Sequence, residues 1–111
     1  MAAKANIVID QGADFSTTIT VTDDAGDAVD LTGYTGEGQI RKHYTSTTST
    51  PFTISFGIPR TEGQITLALG RVLTANMEAG RYVYDVEITS SANTRARLIE
   101  GIATVTPEVT R

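Results

Sequence analysis

LTANMEAGRYVYDVEITS, residues 73–90, is the stretch whose pattern decides the fold. It opens on Leu73 and Met77, four residues apart, a spacing that predicts one or two helical turns over 73–79, stopped by Gly80. Beyond Gly80 the period changes from helical to alternating. Tyr82, Tyr84, Val86 and Ile88 share one face, with Arg81, Asp85 and Glu87 on the other, the signature of a long half-buried strand.

The same alternation recurs on both sides. Phe15, Thr17, Ile19 and Val21 oppose Ser16, Thr18, Thr20 and Thr22, and a shorter apolar run covers 7–9. Residues 23–27 supply Asp and Gly for a tight turn, and 29–33 follow as a short edge segment. A strand is expected over 36–45, with Ile40 and Tyr44 on its apolar face, and another where Phe52, Ile54, Phe56 and Ile58 alternate. Ile65, Leu67 and Leu69 mark a further strand after a turn at 60–63, and the final strand runs over 95–105. In that last strand Leu98 and Ile102 keep one phase while Ile99, Ala103 and Val105 keep the other; a bulge near Gly101 would reconcile them.

About seven antiparallel strands at spacings of roughly 8–12 residues predict an all-β, Ig-like Greek-key β-sandwich, with a small β-barrel as the alternative. The short helical corner before Tyr82 tilts the choice toward the sandwich. In Ig-like domains a tyrosine near the start of the sixth strand folds its hydroxyl back onto the preceding corner, and Tyr82 holds the matching place after Gly80. An ordinary strand tyrosine would read the same way.

Composition agrees with this picture. Nineteen Thr, ten Ile and eight Val make one third of the 111 residues β-branched, a choice suited to pleated sheet. The length fits one domain over 1–111. A net charge of -4 and a lone basic cluster at 41–43 argue against nucleic acid as a partner, because phosphate binding rests on Lys and Arg. No apolar run approaches the ~20 residues of a membrane helix, and residues 1–4 lead into patterned sequence without a signal-peptide core, so a soluble chain with no membrane partner is expected. There is no Cys, hence neither disulfide nor thiol chemistry.

Catalytic patterns are weak. His43 is the only histidine, and zinc needs three or four Cys/His ligands. Asp23, Asp24, Asp27 and Asp30 fall within eight residues and are weak candidates for Ca²⁺, but they lack EF-hand spacing, and a β-turn selects the same residues for itself. Asp85 and Glu87, with Glu100 opposite, resemble a glycosidase pair in spacing, yet Arg81, Arg95 and Arg97 offer simple cross-strand ion pairing. The glycines of 33–38 read GxxGxG with no long helix following, which favours backbone freedom over phosphate binding. No cofactor and no enzymatic activity are expected.

Three segments carry a resemblance. VDLTGYTGEGQIRK (29–42), the 73–90 block and RLIEGIATVTPEVTR (97–111) resemble a family of small tailed-phage structural proteins, similar in plan to the N-terminal β-sandwich domain of phage upper baseplate proteins. The resemblance implies a virion component of the tail, baseplate, neck or capsid surface, assembled in the host cytoplasm. Its partners would be other virion proteins and further copies of itself. The long C-terminal regions of upper baseplate proteins have no counterpart in these residues. The candidate contact residues are Thr45, Thr48 and Pro51 in the Thr/Ser-rich loop 45–51, and Pro107, Val109 and Arg111 in a short C-terminal arm over 106–111. The alternative function is a carbohydrate- or host-surface-binding module.

Overall fold

The computed structural model describes residues 3–23 and 25–109. Two sheets face each other. The larger contains β1 (Ala3–Lys4), β2 (Ile7–Asp10), β4 (Thr35–Arg41), β5 (Thr50–Pro51), β8 (Gly80–Thr89) and β9 (Arg95–Thr106), in the order β1/β2, β9, β8, β4, β5. The smaller holds β3 (Phe15–Thr20), β7 (Gln64–Leu69) and β6 (Thr53–Phe56), in the order β3, β7, β6. The chain passes between sheets at β2 to β3, β3 to β4, β5 to β6 and β7 to β8, the Greek-key crossing of an Ig-like sandwich. Two separate sheets set aside the barrel.

Seven of these strands have four or more residues, in keeping with the expected seven; β1 and β5 have two each. One difference concerns direction. β1 and β2 run parallel to β9, whereas antiparallel pairing was expected throughout. Side-chain alternation has the same period in either direction, so no pattern of residues distinguishes them.

The core follows the alternation. Ile9, Ile40, Ile65, Leu67, Val86 and Ile99 are all but inaccessible between the sheets. Gly36 and Gly38 face the same interior from β4, and their missing side chains matter. A Cβ at Gly38 would lie 3.1 Å from Phe52 and 3.2 Å from the Asp85 carbonyl; one at Gly36 would lie 2.9 Å from Ile54. These glycines let β6 and Phe52 seat directly on the β4 backbone, which is close packing rather than the backbone freedom expected. The strand itself stops at Arg41 instead of running to 45. Tyr44 therefore leaves the Ile40 face and stands 77% exposed in the following bend. Ile58 likewise falls beyond β6, 96% exposed, because the strand ends at Phe56 before Gly57.

The corner before β8 differs in detail from its expected form. The helix is α1 (Arg71–Ala75), not 73–79. Two contacts shift it toward the N-terminus. Asp14 accepts the Arg71 N–H at 2.8 Å, and Thr74, completely buried, donates from Oγ1 to the Ala13 carbonyl at 2.9 Å. Met77 then leaves the helix and buries at the corner, while Leu73 is 40% exposed. Tyr82 donates its hydroxyl to the Glu78 carbonyl at 2.7 Å, the tyrosine-corner bond of the Ig-like fold. Gly80, at φ +139°, makes the turn between them.

The bulge in β9 lies at Leu98, not near Gly101. Val86 opposes Ile99 and Glu87 opposes Arg97, so Leu98 is the extra residue, and both Leu98 and Ile99 point into apolar surroundings. Gly101 serves a different purpose. Between β1 and β2 the edge crosses β9 closely: the Ala5 N–H donates to the Glu100 carbonyl at 3.0 Å, and the Ile102 N–H donates to Asn6 Oδ1 at 3.1 Å. A Cβ on Gly101 would lie 2.8 Å from the Ala5 carbonyl carbon.

Tyr84 closes this crossing from the inside. Its ring packs edge-on to Phe52 with centroids 5.8 Å apart, and its hydroxyl donates to the Ala5 carbonyl. Burial pushes its pKa up from 10.0 to about 12. Below pH 10 the group is neutral in both folded and unfolded chains. Between about pH 10 and 12 the unfolded chain ionises first, so stability falls as pH rises through that window. Tyr84→Phe should flatten this alkaline loss and, at neutral pH, cost about 1 kcal/mol for the missing hydrogen bond. Urea midpoints at pH 8 and pH 11 for both proteins check the two effects.

Candidate interaction surface

The outer face of the larger sheet is densely charged. β8 presents Arg81, Asp85 and Glu87, β9 presents Arg95, Arg97 and Glu100, and β4 presents Glu37 and Arg41. Arg97 lies 3.3 Å from Asp85 through Nε and 2.9 Å from Glu100 through Nη1, and Arg95 lies 3.7 Å from Glu87. The Glu100 hydrogen bond and the Asp85 charge hold the Arg97 guanidinium above its ordinary range. The carboxylates that spaced like a glycosidase pair are thus partnered across the sheet, in exposed ion pairs that contribute little to stability.

A shallow depression of about 190 Å³ runs over this face, lined by Gln39, Arg41, Tyr44, Asp85, Arg97 and Glu100 among others. Arg41 is occupied at its rim, donating to the Ser46 carbonyl at 2.6 Å and to Gln39 Oε1 at 2.9 Å. Tyr44 is the one strongly exposed aromatic residue among those described.

The acidic loop is built as a turn. Asp23 Oδ1 accepts the N–H groups of Ala25 and Asp27 at 2.9 and 3.0 Å. Asp30 Oδ1 accepts from Thr32, Oγ1 at 2.6 Å and N–H at 2.9 Å, and these bonds hold its carboxyl below the usual carboxylate range. Both are side-chain-capped turns of the kind Asp forms for itself. Asp24 lies outside the described residues. Among those described, no group of His, Asp or Glu gathers in a way that could hold a metal ion. His43 is exposed beyond the end of β4, its N–H bonded to Ser46 Oγ at 3.0 Å.

Loop 45–51 is more ordered than its Thr/Ser composition suggests. The Ser46 N–H donates to the His43 carbonyl at 3.0 Å, and β5 pairs Thr50 and Pro51 with Ile40 and Gln39. Thr45, Thr48 and Pro51 are all exposed. The start of the C-terminal arm lies against its own domain. The Gln11 N–H donates to the Thr106 carbonyl at 3.0 Å, and Gln11 Oε1 accepts the Glu108 N–H at 3.2 Å. Pro107 is exposed, Val109 is 95% exposed, and Arg111 lies outside the described residues.

The smaller sheet presents the opposite character. β3, β6 and β7 contain no Asp, Glu, Lys or Arg. Its outer face carries Ser16, Thr18 and Thr20 of β3, Gln64, Thr66 and Ala68 of β7, and Thr53 and Ser55 of β6. Thr18 and Thr66 share a hydroxyl hydrogen bond of 2.9 Å across it. This uncharged face escaped sequence reasoning. The signal was present as three charge-free runs, but they are far apart in sequence and only the strand order assembles them.

No protein-family model matches the chain, and no curated protein matches it. Among solved structures it is similar to an internalin-like protein of Listeria monocytogenes, at 16% identity and a TM-score of 0.53. The match covers 95% of this chain and 28% of that one, so the chain spans little more than a quarter of the length of that protein. At this identity the likeness concerns the fold alone.

Proposed function

We propose that this chain is a non-enzymatic assembly module that works through protein–protein contacts, as a structural component of a tailed-phage virion. The observation that carries the assembly reading is the segregation of charge. One sheet is laced with ion pairs, whereas the other has an uncharged outer face of small hydroxyl, amide and methyl groups. Exposed protein surfaces normally mix charges of both signs, and depletion of charge is what distinguishes the centre of an interface from the rest of a surface. The resemblance of segments 29–42, 73–90 and 97–111 to small tailed-phage structural proteins supports the virion setting.

The reading has a direct test. Mass spectrometry of purified particles of the phage that carries this gene should detect the chain. A copy number in multiples of three or six would favour the tail or baseplate, and hundreds of copies would favour capsid decoration. Absence from the particles overturns the proposal.

The carbohydrate-binding alternative has one observation in its favour, Tyr44 standing beside the depression on the charged sheet. It requires retention on a glycan array that Tyr44→Ala abolishes.

A further inference from the structure

We propose that the free edge of β3 pairs antiparallel with β3 of a second copy of this chain, in a register centred on Thr18. The inference rests on the assembly reading and names the first partner.

Open strand edges are templates for unwanted pairing, and folded proteins protect them with charges, prolines, bulges or brevity. Three of the four edges here carry such protection. The β1/β2 edge bears Lys4 and Asp10, β5 has two residues including Pro51, and β6 has four residues followed closely by Gly57 and Pro59. β3 carries none. It is six residues long, lacks charge, Pro and Gly, and pairs with β7 without a register shift. Its other side has no strand partner among the described residues.

The main chain of β3 is complementary to itself. The Val21 N–H donates to the Gly63 carbonyl at 2.7 Å, continuing the β3–β7 ladder, so odd-numbered residues turn their main-chain groups toward β7. By the two-residue alternation of an antiparallel ladder, Ser16, Thr18 and Thr20 turn theirs toward the open side. Set Thr18 opposite Thr18 of the second copy, and Ser16 faces Thr20 in both directions. All three pairs are then of the hydrogen-bonded kind, giving about six main-chain bonds.

This register also keeps the two faces of the sheet in agreement. Hydroxyl side chains stay outside, while Phe15 meets Val21 and Thr17 meets Ile19 inside. A shift by one residue would set inward side chains against outward ones. Phe15, Thr17 and Ile19 are only half-buried in the single chain, although Leu69, Leu67 and Ile65 opposite them are buried. A second copy would cover that exposed margin of the core, and the uncharged face would continue across both molecules as one six-stranded sheet.

The chain has no cysteine, so single substitutions report without background. In the proposed register the two Thr18 Cα atoms lie about 5.5 Å apart, within disulfide range. Under mild oxidation the full-length Thr18→Cys protein should form a covalent dimer at least tenfold faster than Thr20→Cys, whose own copy lies four residues out of register. It should exceed Ser55→Cys, on the far strand β6, by the same margin. Equal rates for all three, with wild-type protein sedimenting as a monomer up to about 1 mM, overturn the pairing.

Thr18→Lys, which leaves the main-chain bonds to β7 in place and removes only the exposed Thr18–Thr66 hydroxyl bond, should keep the wild-type circular dichroism, melt within a few degrees of the wild type and lose the self-association. If the wild-type chain is monomeric and Thr18→Lys also fails to enter particles, the edge receives a strand of a different protein; the second copy is overturned and the assembly reading stands. If neither variant nor wild-type chain is found in particles, the assembly reading itself fails, whatever the cross-linking shows.

Discussion

Gly101→Ala should destabilise the domain by about 3 kcal/mol, at the upper end of what overpacking costs. The added methyl group has nowhere to go. On one side it would meet the Ala5 carbonyl, a main-chain group held by the Ala5 N–H bond to Glu100 at 3.0 Å. On another it would approach Tyr84 Cε1 at 3.2 Å, and that ring is itself tied to Ala5 through its hydroxyl. Relief requires the β1–β2 crossing to lift from β9, breaking the Ala5 to Glu100 and Ile102 to Asn6 bonds together. Gly70→Ala is the matched control. Gly70 sits at φ -73°, and a Cβ there would have nothing within 4 Å. That change should stay within about 0.5 kcal/mol of neutral. Urea unfolding of both variants decides the matter, read as a shift in midpoint at constant slope. Equal midpoints would mean that the edge crossing yields at no cost.

Leu31→Ala should cost about 3–4 kcal/mol, as much as truncating a leucine in a central strand. Leu31 belongs to no strand, yet it is completely buried. The connection from β3 to β4 carries it into the end of the sandwich, and both sides of the residue are pinned. Its N–H donates to the Arg60 carbonyl at 3.0 Å, and Arg60 Nη1 donates to the Tyr34 carbonyl at 2.7 Å. The Arg60 guanidinium also lies 4.3 Å from the centre of the Phe56 ring, stacking over the smaller sheet's end. Asp30 caps Thr32, and Gly33, at φ +81°, turns the chain toward β4. With the chain on both sides of Leu31 held by these bonds, the cavity left by alanine has little means of collapse. Leu67→Ala, in the central strand β7, provides the comparison. A loss below about 1 kcal/mol at Leu31 beside a full loss at Leu67 would show that the loop relaxes into the space.

These two residues illustrate where sequence reasoning succeeds and where it stops. The alternations at 15–21 and 82–88 specify strands correctly because a half-buried strand has one apolar and one polar face, and that period is local. Tyr82 reads as either a corner tyrosine or an ordinary strand tyrosine, and the corner reading is accessible because the tyrosine and the carbonyl it bonds are four residues apart. Leu31 reads as part of a short edge segment, because its burial depends on Arg60, distant in sequence. The Leu98 and Ile99 parity break is visible in the residues, but the bulge falls at Leu98 because Val86 and Glu87 on β8 set the count across the sheet. Gly101 drew attention for that parity break, whereas its structural reason is the approach of Ala5 from the other end of the chain.

The residues alone determined an acidic, cysteine-free, all-β domain whose buried and wet positions alternate, since composition and period-two patterning are properties of neighbouring residues. The tertiary structure alone decided that β1 and β2 run parallel to β9 and that the charge-free runs gather into one sheet. It also decided that the longer unprotected edge of that sheet is β3, since β6 has only four residues ahead of Gly57 and Pro59. The physical reason is common to all three. Strand direction, sheet membership and edge position are pairings between segments far apart in the chain, and such pairings leave no period in the sequence of either partner.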